Sequence, residues 1–394
     1  MSRIYFVAGE TSGDNHGAEL LRELRRRDAR LQFFGRGGPK MRAVAGEKFR
    51  DWIDQAAVIG LWEVLKRYRF FRREFHGTLR DIAALRPDAV LLIDYPGFNL
   101  RLARELRKRQ RGLKIIYYIS PQIWAWNQRR VSSMARSMDL MLCIFPFEPH
   151  FYAQAGLRAD FVGHPAVIAS RVEAARCDCS DSERDPQLVA LFPGSRGREV
   201  KKILPVMLDA AHQLLRSHPR LHFEIAAASE SLRRVIESIV GADDRFVVNV
   251  GRGRELMERA SAAMVASGTA TLEAALAQLP FVLVYRVAWL TYLAARLVVK
   301  VRWLGMPNVL ANHEIVPEFI QHKARPGAIA RAVARLLDDA GARGAMLQAF
   351  ATVRAQLSAE AAEADAADAI LTELRAPFRT SESGAAPDAA GAST

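Results

Sequence analysis

Cysteine is nearly missing from this chain: only Cys143, Cys177 and Cys179 occur among 394 residues. So few cannot build a disulfide framework, and a reducing cytosol is the expected compartment. Long apolar runs are missing too. The most hydrophobic extended segment, 288–306, carries Arg296, Lys300 and Arg302, so a transmembrane helix of about 18–20 uninterrupted apolar residues is not expected. Met1-Ser2-Arg3 leads straight into Ile4-Tyr5-Phe6-Val7 without a signal-peptide stretch, and no secretory leader is expected. Acidic residues are outnumbered, 43 against 56 Lys and Arg, for a net charge of +13. A basic balance suits a phosphorylated substrate, an anionic membrane surface or nucleic acid. RNP, KH and zinc-finger patterns are absent, so nucleic acid is not an expected partner.

Several cofactor and catalytic signatures are lacking as well. Gly35-Arg36-Gly37-Gly38 does not have the spacing of a dinucleotide-binding turn, nor the acidic ribose reader that follows one. Pro193-Gly194-Ser195-Arg196 is not a P-loop, because no Gly-Lys-Ser/Thr follows, and Pro193 replaces the first Gly of a hydrolase elbow. His313-Glu314 has no second His at zincin spacing, and Cys177-Asp178-Cys179 has no second ligand pair. Neither a metal nor a cofactor is expected. No repeat of 20–50 residues is visible, which argues against a solenoid.

What is present is an alternation. Short β-branched or aromatic runs at 4–7, 31–34, 89–93, 115–119 and 140–144 are each followed by a helix-length stretch, and the pattern resumes at 188–192, 222–226, 246–250, 262–265 and 281–285. Half of the residues are hydrophobic, enough for a sizeable core in each half. The fold class predicted is α/β, with parallel sheets covered on both faces in two similar domains. The expected domains are 1–169 and 187–375, the latter including the C-terminal helices, joined by a polar linker at 170–186 and followed by a disordered Ala/Ser/Gly/Pro-rich tail at 376–394.

Ligands of open α/β sheets lie beyond the carboxyl ends of the strands, so residues just after each strand carry the functional information. After the first strand, Gly9-Glu10-Thr11-Ser12-Gly13-Asp14 leads into a helix expected from about Asn15, offering small residues and free N–H groups to a phosphate or sugar oxygen. Asp94, in Ile93-Asp94-Tyr95-Pro96-Gly97-Phe98-Asn99, is a carboxylate at the lip of a buried strand; it either caps the next helix or does chemistry with a raised pKa. The indoles of Ser120-Pro121-Gln122-Ile123-Trp124-Ala125-Trp126 suit core packing or stacking on a sugar.

In the second half, Gly194, Ser195 and Arg196 precede a long helix, and Ser267, Gly268 and Thr269 precede another, with Glu273 one turn in. Two anion-binding turns plus a carboxylate able to accept from a vicinal diol describe a nucleoside diphosphate site. His16 and His164 are the histidines placed beside motif glycines. Five cations, Lys66, Arg67, Arg69, Arg72 and Arg73, surround Phe70 and Phe71, as in an interfacial membrane patch where each cation contributes about 1 kcal/mol. Trp289 to Trp303 is a second such segment, and a domain or homodimer contact is the alternative for both.

Together with Phe161-Val162-Gly163-His164-Pro165, Pro307-Asn308 and Pro317-Glu318-Phe319-Ile320-Gln321, these motifs resemble the lipid-A-disaccharide synthase family, in order, over roughly residues 3–375. The resemblance implies a metal-independent inverting glycosyltransferase of the GT-B type, with two Rossmann-like domains facing a cleft. It implies transfer from UDP-2,3-diacylglucosamine to the 6-hydroxyl of 2,3-diacylglucosamine 1-phosphate, giving a β-1,6-linked disaccharide and UDP in lipopolysaccharide biosynthesis. It places Ser12, Gly13, Asp14 and Asp94 on the acceptor side, where Glu10 and Asn99 of the same loops are also expected, and Asp94 is the expected base. Arg196, Glu273, Asn308 and Gln321 fall on the nucleotide side. Some members carry an acid where this sequence has Gly97, so a second carboxylate in that loop is not assigned. Acylated substrates account for a basic aromatic patch: the enzyme is expected in the cytoplasm, peripheral on the inner-membrane surface. The rival expectations are a UDP-N-acetylglucosamine epimerase or a transferase with a soluble acceptor, and a non-catalytic RNA or lipid binder. Neither accounts for the ordered set of motifs.

Overall fold

A computed structural model describes residues 2–56, 68–125, 127–167, 184–287, 289, 301–358 and 365–378. The first half forms strands β1 (Arg3–Ala8), β2 (Gln32–Gly37), β3 (Phe49–Asp51), β4 (Ala89–Ile93), β5 (Lys114–Tyr118), β6 (Leu140–Cys143) and β7 (Ala159–Phe161). The second forms β8 (Asp185–Phe192), β9 (His222–Ala227), β10 (Phe246–Val250), β11 (Ala260–Ala266), β12 (Phe281–Tyr285) and β13 (Glu318–Ile320). They make two parallel sheets, ordered β3-β2-β1-β4-β5-β6-β7 and β10-β9-β8-β11-β12-β13. The doubly wound α/β class expected from the alternation is what forms. Every residue of β4 and β5 is buried, as in a sheet packed on both faces. Along β1, Ile4, Phe6 and Ala8 enter one hydrophobic cluster while Tyr5 and Val7 enter the cluster on the opposite face. Ile4, Phe6 and Val7, fully withdrawn from water, contribute about 1.5–3 kcal/mol each.

Three strands escape the sequence reading. β3, β7 and β13 have three residues each and lie at sheet edges, too short to show a period of two. The first helix also starts earlier than expected, at Thr11, which puts Ser12, Gly13 and Asp14 inside its first turn. β8 begins at Asp185, so the last residues of the expected linker are already strand; 170–183, with Cys177 and Cys179, lies outside the described residues, as does most of the tail.

Both sheets reverse their winding next to their first strand: β1 has β2 on one side and β4 on the other, and β8 has β9 on one side and β11 on the other. These are topological switch points, where diverging loops leave an open crevice. Pairing of Ala8 with Ile93 brings the loops at 9 and 94 out side by side, and pairing of Phe192 with Val265 does the same for the loops at 193 and 267.

Two further contacts set the frame. Arg36, 2 % exposed, pairs with Glu74, 1 % exposed, and with Asp81 at 2.6 Å, locking the helix Tyr68–Leu85 against β2. The last helix, Ala366–Arg375, follows the second sheet in the chain but packs on the first: Ile370 and Leu371 join its core, Lys114 Nζ donates to the carbonyls of Glu373 and Ala376, and Arg158 pairs with Glu373 at 3.0 Å. Grouping that helix with 187–375 thus describes connectivity, while its packing ties the two halves together.

Candidate functional site

At the first switch point the chain turns sharply. Asp94 and Tyr95 have φ of 45° and 52°, the left-handed region that non-glycine residues enter only when their surroundings hold them there. The holders are visible. The Tyr117 hydroxyl donates to the Asp94 carbonyl at 2.5 Å and Asn99 Nδ2 donates to the same carbonyl at 2.8 Å. Tyr95 lays its ring over Gly9, where a Cβ would come within 2.3 Å of the ring, and donates its hydroxyl to the Ala56 carbonyl at 3.0 Å. These bonds bind the Asp94 backbone and not its carboxyl group, which is half-buried at the carboxyl end of β4. Burial first, and the Glu10 carboxylate second, push that carboxyl up from 3.8 to about 6, against the opposing hydrogen bond from the Tyr95 N–H. It therefore does not cap the helix Pro96–Arg109, whose cap position is Tyr95.

The remaining residues expected on the acceptor side divide. Glu10 and Ser12 are exposed at the uncapped start of the helix Thr11–Arg27. Gly13, on the buried face of its first turn, has its Cα so placed that a Cβ would touch Ala8 at 3.4 Å. Asp14 is turned away: its carboxylate accepts from the N–H groups of Gly38, Lys40 and Met41, each at 2.9 Å, and so caps the helix Pro39–Ala45. Asn99 is fully buried and acts on the Asp94 backbone, with Nδ2 reaching Ile93 O as well at 3.2 Å. Burial disfavours protonation of both histidines, holding His164 down to about 4, with a further lowering there from His16.

At the second switch point two helices begin without any side-chain cap: Gly197–Ser217 after Arg196, and Thr269–Leu276 after Gly268. Gly194 and Gly268, with φ of 112° and 143°, take conformations that only glycine adopts without strain, which brings the uncapped N–H groups to the rim. Ser195, Arg196, Thr269 and Glu273 are exposed around them, and Ser267 is half-buried. Arg196 is exposed and makes a loose contact to Glu199 at 3.4 Å, which leaves its guanidinium accessible to an anion at the helix start it precedes.

Asn308 and Gln321 differ from this set. Asn308 is fully buried: its Oδ1 accepts from Ile315 and Val316 N–H at 2.8 Å, and its Nδ2 donates to Val316 O and Glu318 Oε1. Gln321 accepts from the N–H of Val287 at 3.1 Å and donates to its carbonyl at 3.2 Å. Both hold backbone of the second half, Asn308 at 315–316 and Gln321 at 287.

The aromatic motif resolves toward packing. Trp124 is buried against Phe145 and Phe147 and donates its indole N–H to Glu148 at 2.9 Å; Trp126 lies outside the described residues. Glu148 escapes the sequence reading because it stands five residues past the end of β6, beyond the strand-lip position that singles out Asp94. Of the basic patch, Lys66 and Arg67 lie outside the described residues. Arg69, Arg72 and Arg73 are exposed, while Phe70 and Phe71 are half-buried, with Phe70 against Trp52 at 6.5 Å. Most of 289–303 lies outside the described residues.

With this geometry, comparison with known proteins is decisive. A family model described as lipid-A-disaccharide synthetase matches residues 4–370. The chain is 40% identical, over 379 residues, to the lipid-A-disaccharide synthase of Anaeromyxobacter dehalogenans strain 2CP-C, covering 95% of this chain and 98% of that protein. The chain belongs to the lipid-A-disaccharide synthase family. Its fold is that of wider neighbours: a UDP-GlcNAc 2-epimerase from Neisseria meningitidis bound to UDP-GlcNAc superposes with a TM-score of 0.61 at 12% identity, covering 95% of this chain and 99% of that one. A calicheamicin glycosyltransferase gives 0.54 at 14% identity, covering 95% and 98%. Within this lipid-A-disaccharide synthase family member, the two domains are the Rossmann-like pair of a GT-B glycosyltransferase.

Proposed function

We propose that this chain joins two acylated glucosamines into the lipid A disaccharide, taking 2,3-diacylglucosamine from its UDP ester and placing it on the 6-hydroxyl of 2,3-diacylglucosamine 1-phosphate. The observation that carries the chemistry is Asp94, a carboxyl group at the carboxyl end of β4 whose backbone is held by Tyr117 and Asn99 and whose pKa burial raises to about 6. A base with that pKa is ionised at neutral pH yet basic enough to share the hydroxyl proton in the transition state. The acceptor oxygen then forms its bond to the anomeric carbon from the face opposite UDP, the bond from that carbon to the diphosphate oxygen breaks, and the proton ends on Asp94. The charge left on the diphosphate is met by the uncapped starts of Gly197–Ser217 and Thr269–Leu276 and by Arg196. Glu273 accepts from the ribose diol, and Asn308 and Gln321 keep the surrounding loops in shape.

The lipid part of the substrates finds support on the acceptor side. A chain of ring contacts runs from Tyr95 to Trp52 at 6.1 Å, to Phe70 at 6.5 Å and to Phe71 at 5.3 Å, and so to the exposed cations of the helix Tyr68–Leu85. Apolar rings with a basic border suit acyl chains drawn from an anionic bilayer surface. None of the described helices is long and apolar enough to cross a membrane, and the proposal is peripheral attachment to the cytoplasmic face of the inner membrane. Incubation with acylated and unacylated UDP-glucosamine, each with the acylated acceptor, tests the reading. Release of UDP only with the acylated pair is expected; epimerised donor without a disaccharide overturns it.

A further inference from the structure

Glu148 opens the short helix Glu148–Ala153, which follows β6 after a four-residue loop, and is fully buried. Its carboxylate gathers the loop that leaves the neighbouring strand β5. Oε2 accepts from Ser120 Oγ at 2.5 Å and from Phe145 N–H at 3.1 Å, while Oε1 accepts from Trp124 Nε1 at 2.9 Å. One turn on, the Tyr152 hydroxyl donates to the Pro121 carbonyl at 2.9 Å. Ser120, Pro121, Ile123 and Trp124 are all buried by these ties, and Gln122 alone among them projects into solvent.

The loop starts under strain and beside the candidate base. Ile119 has φ of 64°, which a β-branched residue avoids unless its neighbours dictate it. One residue earlier, Tyr118 O accepts from the Asp94 N–H at 3.0 Å, and Tyr117 reaches the Asp94 carbonyl. Burial pushes the Glu148 carboxyl up to about 7 even though four donors oppose the rise. A buried carboxylate is expensive, and an apolar residue would fill the same space more cheaply. Its full set of donors instead specifies one loop shape.

We infer that Glu148 is a positioning residue for the acceptor: by tying Ser120 and Trp124 it fixes the loop that rises beside Asp94 and presents Gln122 to the incoming sugar. The inference rests on the assignment of Asp94 to the acceptor side. Donor counting sharpens it. Glu148→Gln keeps the volume, but its NH2 group must face either the Trp124 indole N–H or the Phe145 N–H, donor against donor in both flips. Trp124→Phe removes the first of these donors and gives the amide nitrogen a side without a clash.

The test measures kcat and KM for each acylated substrate in the full chain, for wild type, E148Q, W124F, the E148Q/W124F double variant and D94N, with Tm alongside. Expected is a rise of about tenfold or more in the acceptor KM of E148Q, with donor KM and saturating kcat held within about twofold. The double variant is expected to recover part of that loss, a coupling that independent damage would not produce. An unchanged acceptor KM in E148Q overturns the inference. So does a uniform loss of kcat, both KM values and Tm that W124F does not relieve. D94N separates the two claims: wild-type turnover there with a raised acceptor KM in E148Q removes Asp94 as the base and keeps the positioning role, and the opposite pattern removes the positioning role alone.

Discussion

Replacing Asp94 with Asn should make the protein more stable and nearly inactive, and the pH at which each effect appears follows from the structure. The unfolded chain releases the Asp94 proton near 3.8, whereas the folded protein holds it to about 6. Between those values the folded state binds more protons, so its stability falls as pH rises, and above about pH 6 the full cost of the buried charge is present. Two pH units at about 1.4 kcal/mol each set an upper bound on the order of 3 kcal/mol, and solvent at the crevice lowers this to roughly 1–3 kcal/mol. Asn keeps the shape and the ties from Tyr117 and Asn99 to the backbone carbonyl, but carries no charge. Urea unfolding of the two proteins at pH 4, 6 and 8 should therefore give equal stability at the lowest pH and a gain for D94N at the highest. Glu148 adds its own slope below about 7, common to both proteins, so the difference isolates Asp94. Turnover at pH 8 should fall by at least about a hundredfold. A variant that is less stable at pH 8, or that keeps wild-type turnover, refutes the reasoning.

Three other substitutions probe neighbouring steps. Glu10→Gln removes the charge that helps raise Asp94, so the acid limb of kcat/KM should move to lower pH by a few tenths of a unit and become less sensitive to salt; an unmoved limb would disconnect the two carboxylates. Arg196→Ala should weaken UDP binding by about ten- to a hundredfold, as expected for a charge-assisted contact to phosphate, measured calorimetrically, with little change in Tm because the side chain is exposed. Gly9→Ala drives a Cβ to within 2.3 Å of the Tyr95 ring and should cost about 1–3 kcal/mol in urea unfolding together with most of the turnover, since Tyr95 adjoins the proposed base; unchanged unfolding and activity would mean that the ring moves freely.

The motifs were legible because strand ends and helix starts follow from local pattern. Asp94 after an apolar run, and Gly194 and Gly268 before helices, declare themselves within a few residues. Strand order does not, since nothing local states that β1 pairs with β4 or β8 with β11, and those pairings create the crevices. Side-chain allegiance is equally hidden. Asp14 looks like a loop carboxylate but caps a helix that starts 25 positions later, at Pro39, and Asn308 and Gln321 serve backbone groups near 316 and 287. Trp124 and Glu148 satisfy each other across 24 residues, a partnership no spacing rule predicts. The short edge strands lacked enough residues for a period, and Phe70 looked like a projecting membrane anchor because its contact with Trp52 is long-range.

The central claim is that one crevice deprotonates an acylated sugar hydroxyl while the other accepts a departing UDP. The most direct measurement is mass spectrometry of the products formed by the purified chain from UDP-2,3-diacylglucosamine and 2,3-diacylglucosamine 1-phosphate. A tetra-acylated disaccharide monophosphate with β-1,6 linkage, formed in equal amount with UDP, is the predicted result. Intact substrates, or UDP released with the donor sugar passed to water, would contradict it.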